Sequence, residues 1–180
     1  MKVAIIIPCN DFKDETLSQA KLLLKKKDID FAILSFRFDK CKGYHGAIES
    51  PDGRADEFEP EFFDGILLVD GPGIDAERLF ENRPLLDRIK LAYEGKRPIA
   101  AVGNAIKILA KANIVKGVKL AKVEDEETKR LVGLYQGAIS NLDFSSSKGI
   151  VTASDSSKMQ DLIASFEEML RSRPTAPRPL

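Results

Sequence analysis

Apolar residues along this chain fall in short blocks separated by polar turns, and the blocks alternate between two periods. Val3 to Ile7 is an unbroken β-branched run, the signature of a strand buried on both faces. From about Thr16 to Lys27 the period lengthens, with Leu17, Ala20, Leu23 and Leu24 on one side of a predicted helix, and Ile29 to Phe36 returns to a strand. Strand, helix and strand in that order predict a βαβ unit with parallel strands. The segment GYHGAIESPDGRADEF carries Ser50-Pro51-Asp52-Gly53, a strong turn signal, and predicts a hairpin on the sheet edge with two short arms around that turn. Gly65 to Val69 is the next buried strand, a helix is predicted over about Asp75 to Tyr93, then a strand at Ile99 to Val102 and a helix ending near Asn113.

Beyond Gly117 the pattern weakens to short strands near Lys119 to Ala121 and Leu142 to Phe144, with a clearer one at Ile150 to Ala153. The last helix is well marked, because Met159, Leu162, Ile163, Phe166, Met169 and Leu170 recur at helical spacing and Asp155 or Ser156 can cap its start. With no internal repeat and no linker, residues 1–171 are expected to form a single domain and residues 172–180, rich in proline, a flexible tail. The expected architecture is α/β, a flavodoxin-like three-layer sandwich with a mainly parallel central sheet, helices on both faces and an edge hairpin.

The stretch GKRPIAAVGNAIKILAKANIVKG is a strand, a turn of small residues and a helix, the build of a nucleophile elbow. Ala100, Ala101, Gly103 and Ala105 supply the small residues, but Gly103 stands at the apex and has no side chain to attack anything. The site keeps a shape without its usual chemistry.

KVAIIIPCNDFKDETL, GYHG followed by EFEPEFFDGILLVDGPG, then GKRPIAAVGNAIKILAKANIVKG and a closing GIVTAS before a helix resemble, in order and spacing, the ThiJ/PfpI family of the class I glutamine amidotransferase-like superfamily over about residues 2–170. The resemblance implies the flavodoxin-like sandwich and a homodimer or higher homo-oligomer. It also implies, for members that are enzymes, a cysteine at the elbow in AxCHG, a glutamate just after the first strand and a glycine pair after the third strand. Here AVGNA puts Gly103 at the cysteine and Asn104 at the histidine, and Val69-Asp70-Gly71 replaces the PGG phrase. Lys13 matches the glutamate, unless the turn shifts by a residue or two and Asp14 or Glu15 takes its place.

These departures define the candidate site. Lys13, Asp70, Gly71, Gly103, Asn104 and Ala105 are the pocket candidates, with a possible Lys13 and Asp70 ion pair able to close the pocket or grip a zwitterion. Asn104, at a helix start, reads first as a cap and Lys13 first as a solvated lysine. Asp70 at the carboxyl end of a central strand sits where open α/β sheets bind ligands. Cys9, Asp14 and Glu15 are secondary candidates, for a hydrolase or glyoxalase-like lyase whose chemistry has moved. No catalytic residue, cofactor or metal is assigned: Cys41 and His45 flank the GYHG turn on an edge expected to be exposed, and two ligands do not make a zinc site. Glu124 to Glu127 read as a solvated helix start. The preferred function is a non-catalytic protein that binds a small metabolite or a partner, or scaffolds an oligomer.

Composition narrows the classes. Lys plus Arg and Asp plus Glu both total 28 in 180 residues, so no net charge draws the chain to nucleic acid or an anionic membrane. Two cysteines outside any CxxC pair fit a reducing compartment, MKVAIIIPCND is too short and too soon polar for a signal peptide, and no apolar run approaches the ~20 residues of a membrane helix. The expectation is a soluble, cytoplasmic protein.

Overall fold

A computed structural model describes residues 1–174. Twelve strands and six α-helices follow in chain order: β1 (Lys2–Ile6), β2 (Asn10–Phe12), α1 (Asp14–Lys26), β3 (Asp30–Ser35), β4 (Cys41–Gly43), β5 (Ile48–Glu49), β6 (Gly53–Arg54), β7 (Gly65–Leu68), α2 (Pro72–Ala76), α3 (Arg83–Glu94), β8 (Ile99–Val102), α4 (Ile106–Lys111), β9 (Lys119–Leu120), α5 (Glu126–Leu134), β10 (Ala138–Ile139), β11 (Phe144–Ser147), β12 (Ile150–Ala153) and α6 (Met159–Ser172). The central sheet has the order β11-β12-β8-β7-β1-β3-β6, parallel throughout except for β11, which runs antiparallel to β12. This is the mainly parallel α/β sheet that the apolar blocks predict.

Side chains alternate across the sheet, so each strand feeds two cores. Ala4, Ile6, Ile66, Leu68, Ile99 and Ala101 pack on one side against α3, α4 and α5, with Leu85, Ile89, Ile106, Leu109 and Leu131 as the helical partners. Val3, Ile5, Leu67, Val69, Ala100 and Val102 face α1 and α6, where Leu17, Leu24, Leu162, Ile163 and Phe166 meet them. With both faces covered, the strands must be apolar at every position, which is why β7 and β8 read as continuous runs rather than alternating ones.

Three local expectations are corrected. The hairpin turns at residues 44–47, not at Ser50 to Gly53, and it belongs to a separate three-stranded sheet, β2-β4-β5. The Asp14 carboxylate decides this by accepting from the His45 and Ala47 amides at 2.9 and 2.8 Å, while Asp52 accepts from the Ile33 amide at 2.8 Å and docks β6 beside β3. The helix expected from Asp75 to Tyr93 is broken into α2, a 3-10 turn at Leu79–Glu81 and α3, because Arg78 adopts a left-handed φ of 50° and Asn82 caps a new start at Leu85. Cys41 is fully buried rather than exposed, since β4 is sandwiched between β2 and β5. α6 runs through Ser172, the first residue of the predicted tail, and residues 175–180 of that tail lie outside the described residues.

Among the described residues no helix is long and apolar enough to cross a membrane. Phe166, fully buried on α6, is central to its side of the sandwich. Phe166→Ala is expected to lower stability by about 3–5 kcal/mol, read as a fall in the urea midpoint with the slope unchanged.

Candidate functional site

The carboxyl ends of the central strands are where a parallel sheet leaves a crevice, and here the crevice is built around one residue in a left-handed conformation. β8 ends at Val102, and Gly103 turns the chain into a short 3-10 segment and α4 with φ of 52°, a left-handed conformation that glycine adopts without penalty. A Cβ placed on Gly103 would stand 2.9 Å from Asp70 Oδ2 and 3.2 Å from Asp70 Cβ. The elbow geometry is therefore present, and the Asp70 carboxyl occupies the space beside its apex.

Asp70 continues from β7 and is 5% exposed. Its Oδ1 accepts from Thr16 Oγ1 of α1 at 2.7 Å, and its backbone carbonyl accepts from the Lys13 amide at 2.8 Å. Burial pushes the Asp70 carboxyl above its ordinary range, with the Thr16 hydroxyl and the positive charge of Lys13 opposing that shift. The expected ion pair gives way to this contact, because the Thr16 hydroxyl sits at the first turn of α1, inside the reach of the carboxylate.

Gly71 follows with φ of 149°, and a Cβ there would come within 2.2 Å of the Asp11 carbonyl, so the chain at β2 can pass over this position only because it is glycine. Its peptide is clamped by Asn104, whose Oδ1 accepts from the Gly71 amide at 3.0 Å and whose Nδ2 donates to the Gly71 carbonyl at 2.8 Å and to Asp75 at 3.1 Å. Asn104 thus ties the elbow to β7 instead of capping α4, as its place at a helix start had suggested.

Lys13, Asp70, Gly71, Gly103 and Asn104 line one open cleft of about 450 Å³ together with Asp75, Glu124, Asp125 and Asp155. Ala105, the sixth pocket candidate, is fully buried beneath it. The secondary candidates lie elsewhere. Cys9 faces a different cavity, Asp14 is committed to the hairpin, and exposed Glu15 approaches Gln19 one helical turn on. Among the described residues no group of three or more metal-ligating side chains converges.

Lys107 is the residue that sequence reading missed. It is 1% exposed on α4, its ammonium pairs with Asp75, with Asp125 at 2.7 Å and with Glu127 at 3.6 Å, and it stands 5.2 Å from the Phe80 ring centre. Burial alone would lower its pKa, but hydrogen bonds to Asp125 and Asp75 outweigh burial and raise it. Asp125 also caps α5 through the Glu127 amide at 3.0 Å, so the acidic run is a partner for a buried cation as well as a helix start. The one signal was a lysine flanked by Ile106 and Ile108 in an otherwise apolar helix.

Fold and site together define an α/β protein with a ligand crevice at a nucleophile-elbow turn whose apex is glycine. The sequence profile of the DJ-1/PfpI family matches residues 1–168, and the chain belongs to that family. It is 32% identical to the deglycase PfpI of Pyrococcus furiosus over 119 residues, 66% of this chain and 70% of that one. It is 26% identical to an uncharacterized protein of Methanocaldococcus jannaschii over 139 residues, 75% of this chain and 67% of that protein. Among solved structures, a ThiJ/PfpI domain protein from Brachyspira murdochii superposes with a TM-score of 0.87 at 19% identity over 96% of this chain and 98% of its own. DJ-1beta of Drosophila melanogaster reaches 0.78 at 16% identity over 94% and 93%. Both show the shared fold.

Two predictions come from this geometry. Gly103→Ala is expected to cost about 1–2 kcal/mol, from the left-handed backbone and the approach to Asp70. Combined with Asp70→Gly, the pair should cost less than the sum by ~0.5–1 kcal/mol, measured by urea denaturation of the four proteins. The second concerns pH. Because the folded pKa of Asp70 is raised above the ordinary 3.8, its contribution is complete below that value and is lost as pH rises through the folded pKa. Asp70→Asn cannot ionise. The stability of the wild type relative to this variant should fall as pH is raised from about 4 toward neutrality, and a flat difference would contradict the buried carboxyl.

Proposed function

We propose that this DJ-1/PfpI protein uses the cleft to bind a small zwitterionic metabolite, such as an amino acid or short peptide, without thiol chemistry at the elbow. The observation that carries this reading is the contact between the two residues at the apex: Gly103 has no side chain, and the Asp70 carboxyl lies where one would project. Asn104, next in the chain, is spent on the Gly71 peptide. A thiol acts through its thiolate, and neither a backbone methylene nor a bound carboxamide supplies an equivalent.

The lining favours a ligand with both charges. Lys107 is held by Asp75 and Asp125, so those two cleft carboxylates are engaged by its ammonium and partly compensated. Asp155 has the Ser157 amide, at 2.8 Å, as its main partner, and hydrogen bonds from the Ser157 hydroxyl and amide, helped by the charges of Lys13 and Lys158, hold its carboxyl below the ordinary range. Lys13 supplies the cation for a ligand carboxylate and Asp155 the anion for its ammonium group. Assembly into a homodimer or higher oligomer is part of the same proposal, favoured by Tyr44 and Ile48, exposed apolar residues on the β4–β5 hairpin.

The alternative, deglycase activity as the name of the Pyrococcus furiosus relative states, would need chemistry from residues outside the elbow. Titration calorimetry with a panel of amino acids, keto acids, nucleotides and short peptides separates the readings. Binding of a zwitterion is expected, with Lys13→Ala weakening it roughly tenfold or more. The wild type and Gly103→Cys are both expected to lack deglycase turnover, since a thiol set against Asp70 is kept protonated. Turnover by the wild type would sink the non-catalytic reading.

A further inference from the structure

Cys9 and Cys41, the two cysteines of the chain, take no part in the cleft. Cys9 lies just ahead of β2 and Cys41 opens β4, and the parallel pairing of those strands, with the Lys42 amide donating to the Cys9 carbonyl at 2.9 Å, sets the side chains together. Their sulfurs are 3.1 Å apart although 32 positions separate them in sequence. Other groups fix both backbones. The Glu77 carboxylate accepts from the Cys9 and Asn10 amides at 3.1 and 2.8 Å, and the Asp14 carboxylate holds the turn that follows β4.

The two thiols are not equivalent. Cys9 is itself buried, 4% exposed, but it lines a second open cavity, of about 360 Å³, whose wall includes Phe36, Arg37, Glu77 and Asn82. Cys41 is fully buried, and burial, reinforced by the neighbouring Cys9 and opposed by the Ser35 hydroxyl, pushes its thiol up to about 12. A dissolved reagent meets Cys9 first, and Cys41 has the Cys9 sulfur as its near neighbour.

We propose that Cys9 and Cys41 form an oxidant-responsive dithiol in which a hydroperoxide reacts at Cys9 and Cys41 closes an intramolecular disulfide. The Cys9 sulfur attacks one peroxide oxygen, the O–O bond breaks, and Cys9 becomes a sulfenic acid while the departing oxygen leaves with the thiol proton as water or an alcohol. The Cys41 sulfur then displaces the sulfenic hydroxyl. The S–S bond forms, the S–O bond breaks, and the Cys41 proton leaves with the hydroxyl as water. Two thiols lose two electrons to the peroxide, and an external dithiol reverses the change by exchange. The sulfurs have roughly 1 Å to travel to reach bonding distance. The product would tie the turn after β1 to the hairpin sheet, just ahead of Lys13.

The test is to expose the full-length protein to stoichiometric hydrogen peroxide, quench with an alkylating agent and digest without reductant. The expected result is loss of both free thiols, a Cys9 to Cys41 cross-linked peptide within one chain, reversal by dithiothreitol, and a melting temperature raised by on the order of 5–10 °C. Cys41→Ser should accumulate a Cys9 sulfenic acid that dimedone traps, and Cys9→Ser should leave Cys41 unmodified. Thiols that stay free in the folded protein, under peroxide that oxidises the urea-unfolded chain, would overturn the proposal. So would a cross-link between two chains, or oxidation of Cys41 in Cys9→Ser at the wild-type rate. Should either variant fail to fold, the wild-type peptide map decides alone.

Discussion

The structure turns on the peptide between Asp70 and Gly71. Its neighbours in space come from two distant parts of the chain: the Lys13 amide and Thr16 hydroxyl at the start of α1, with the Asp11 carbonyl of β2 just ahead of them, and the Asn104 carboxamide after β8. Each contact uses a backbone or side-chain group that would otherwise be left unpaired at the end of a buried strand, where an unsatisfied polar atom costs about 1–3 kcal/mol. No buried side-chain nitrogen or oxygen among the described residues lacks a partner. Geometry follows from that demand. Once the peptide is clamped, α1, β7 and the elbow hold fixed positions around one crevice.

Charge compensation shapes the same crevice from below. A fully buried lysine is tolerated only when carboxylates and hydrogen bonds replace its lost hydration, and Lys107 has Asp75, Asp125 and Glu127 for that purpose. The arrangement joins α2, α4 and the start of α5, and it reduces the repulsion among acids that stand close together in the cleft. Asp70 solves the problem differently, by a neutral donor and a raised pKa. Lys13, Glu124 and Asp155 line the same cleft outside these two devices.

The DJ-1/PfpI fold is retained along the chain, down to the left-handed residue at the end of β8. A side chain in that conformation stores strain, which serves an enzyme that must expose a nucleophile; glycine removes the strain together with the reactive group. A fold positions a site and leaves open what the site does.

The sequence by itself determined the sheet, because strands buried on both faces must be apolar throughout, and that requirement is legible one segment at a time in Val3 to Ile7, Gly65 to Val69 and Ile99 to Val102. It also placed the elbow at Gly103, since only small residues fit a tight strand-to-helix turn. What only the tertiary structure decided are the partners. Lys13, Thr16, Asp70 and Asn104 are scattered over the first hundred or so positions, and local periodicity carries no record of which polar group satisfies which. Hence the Asp70 carboxyl bonds Thr16 rather than the Lys13 ammonium, Asn104 clamps Gly71 rather than capping α4, and Asp14 fixes a hairpin turn that Ser50-Pro51-Asp52-Gly53 seemed to own. Lys107 is the extreme case: a lysine reads as a surface residue until the fold surrounds it with carboxylates, and burial is a property of the assembled layers that no single segment contains.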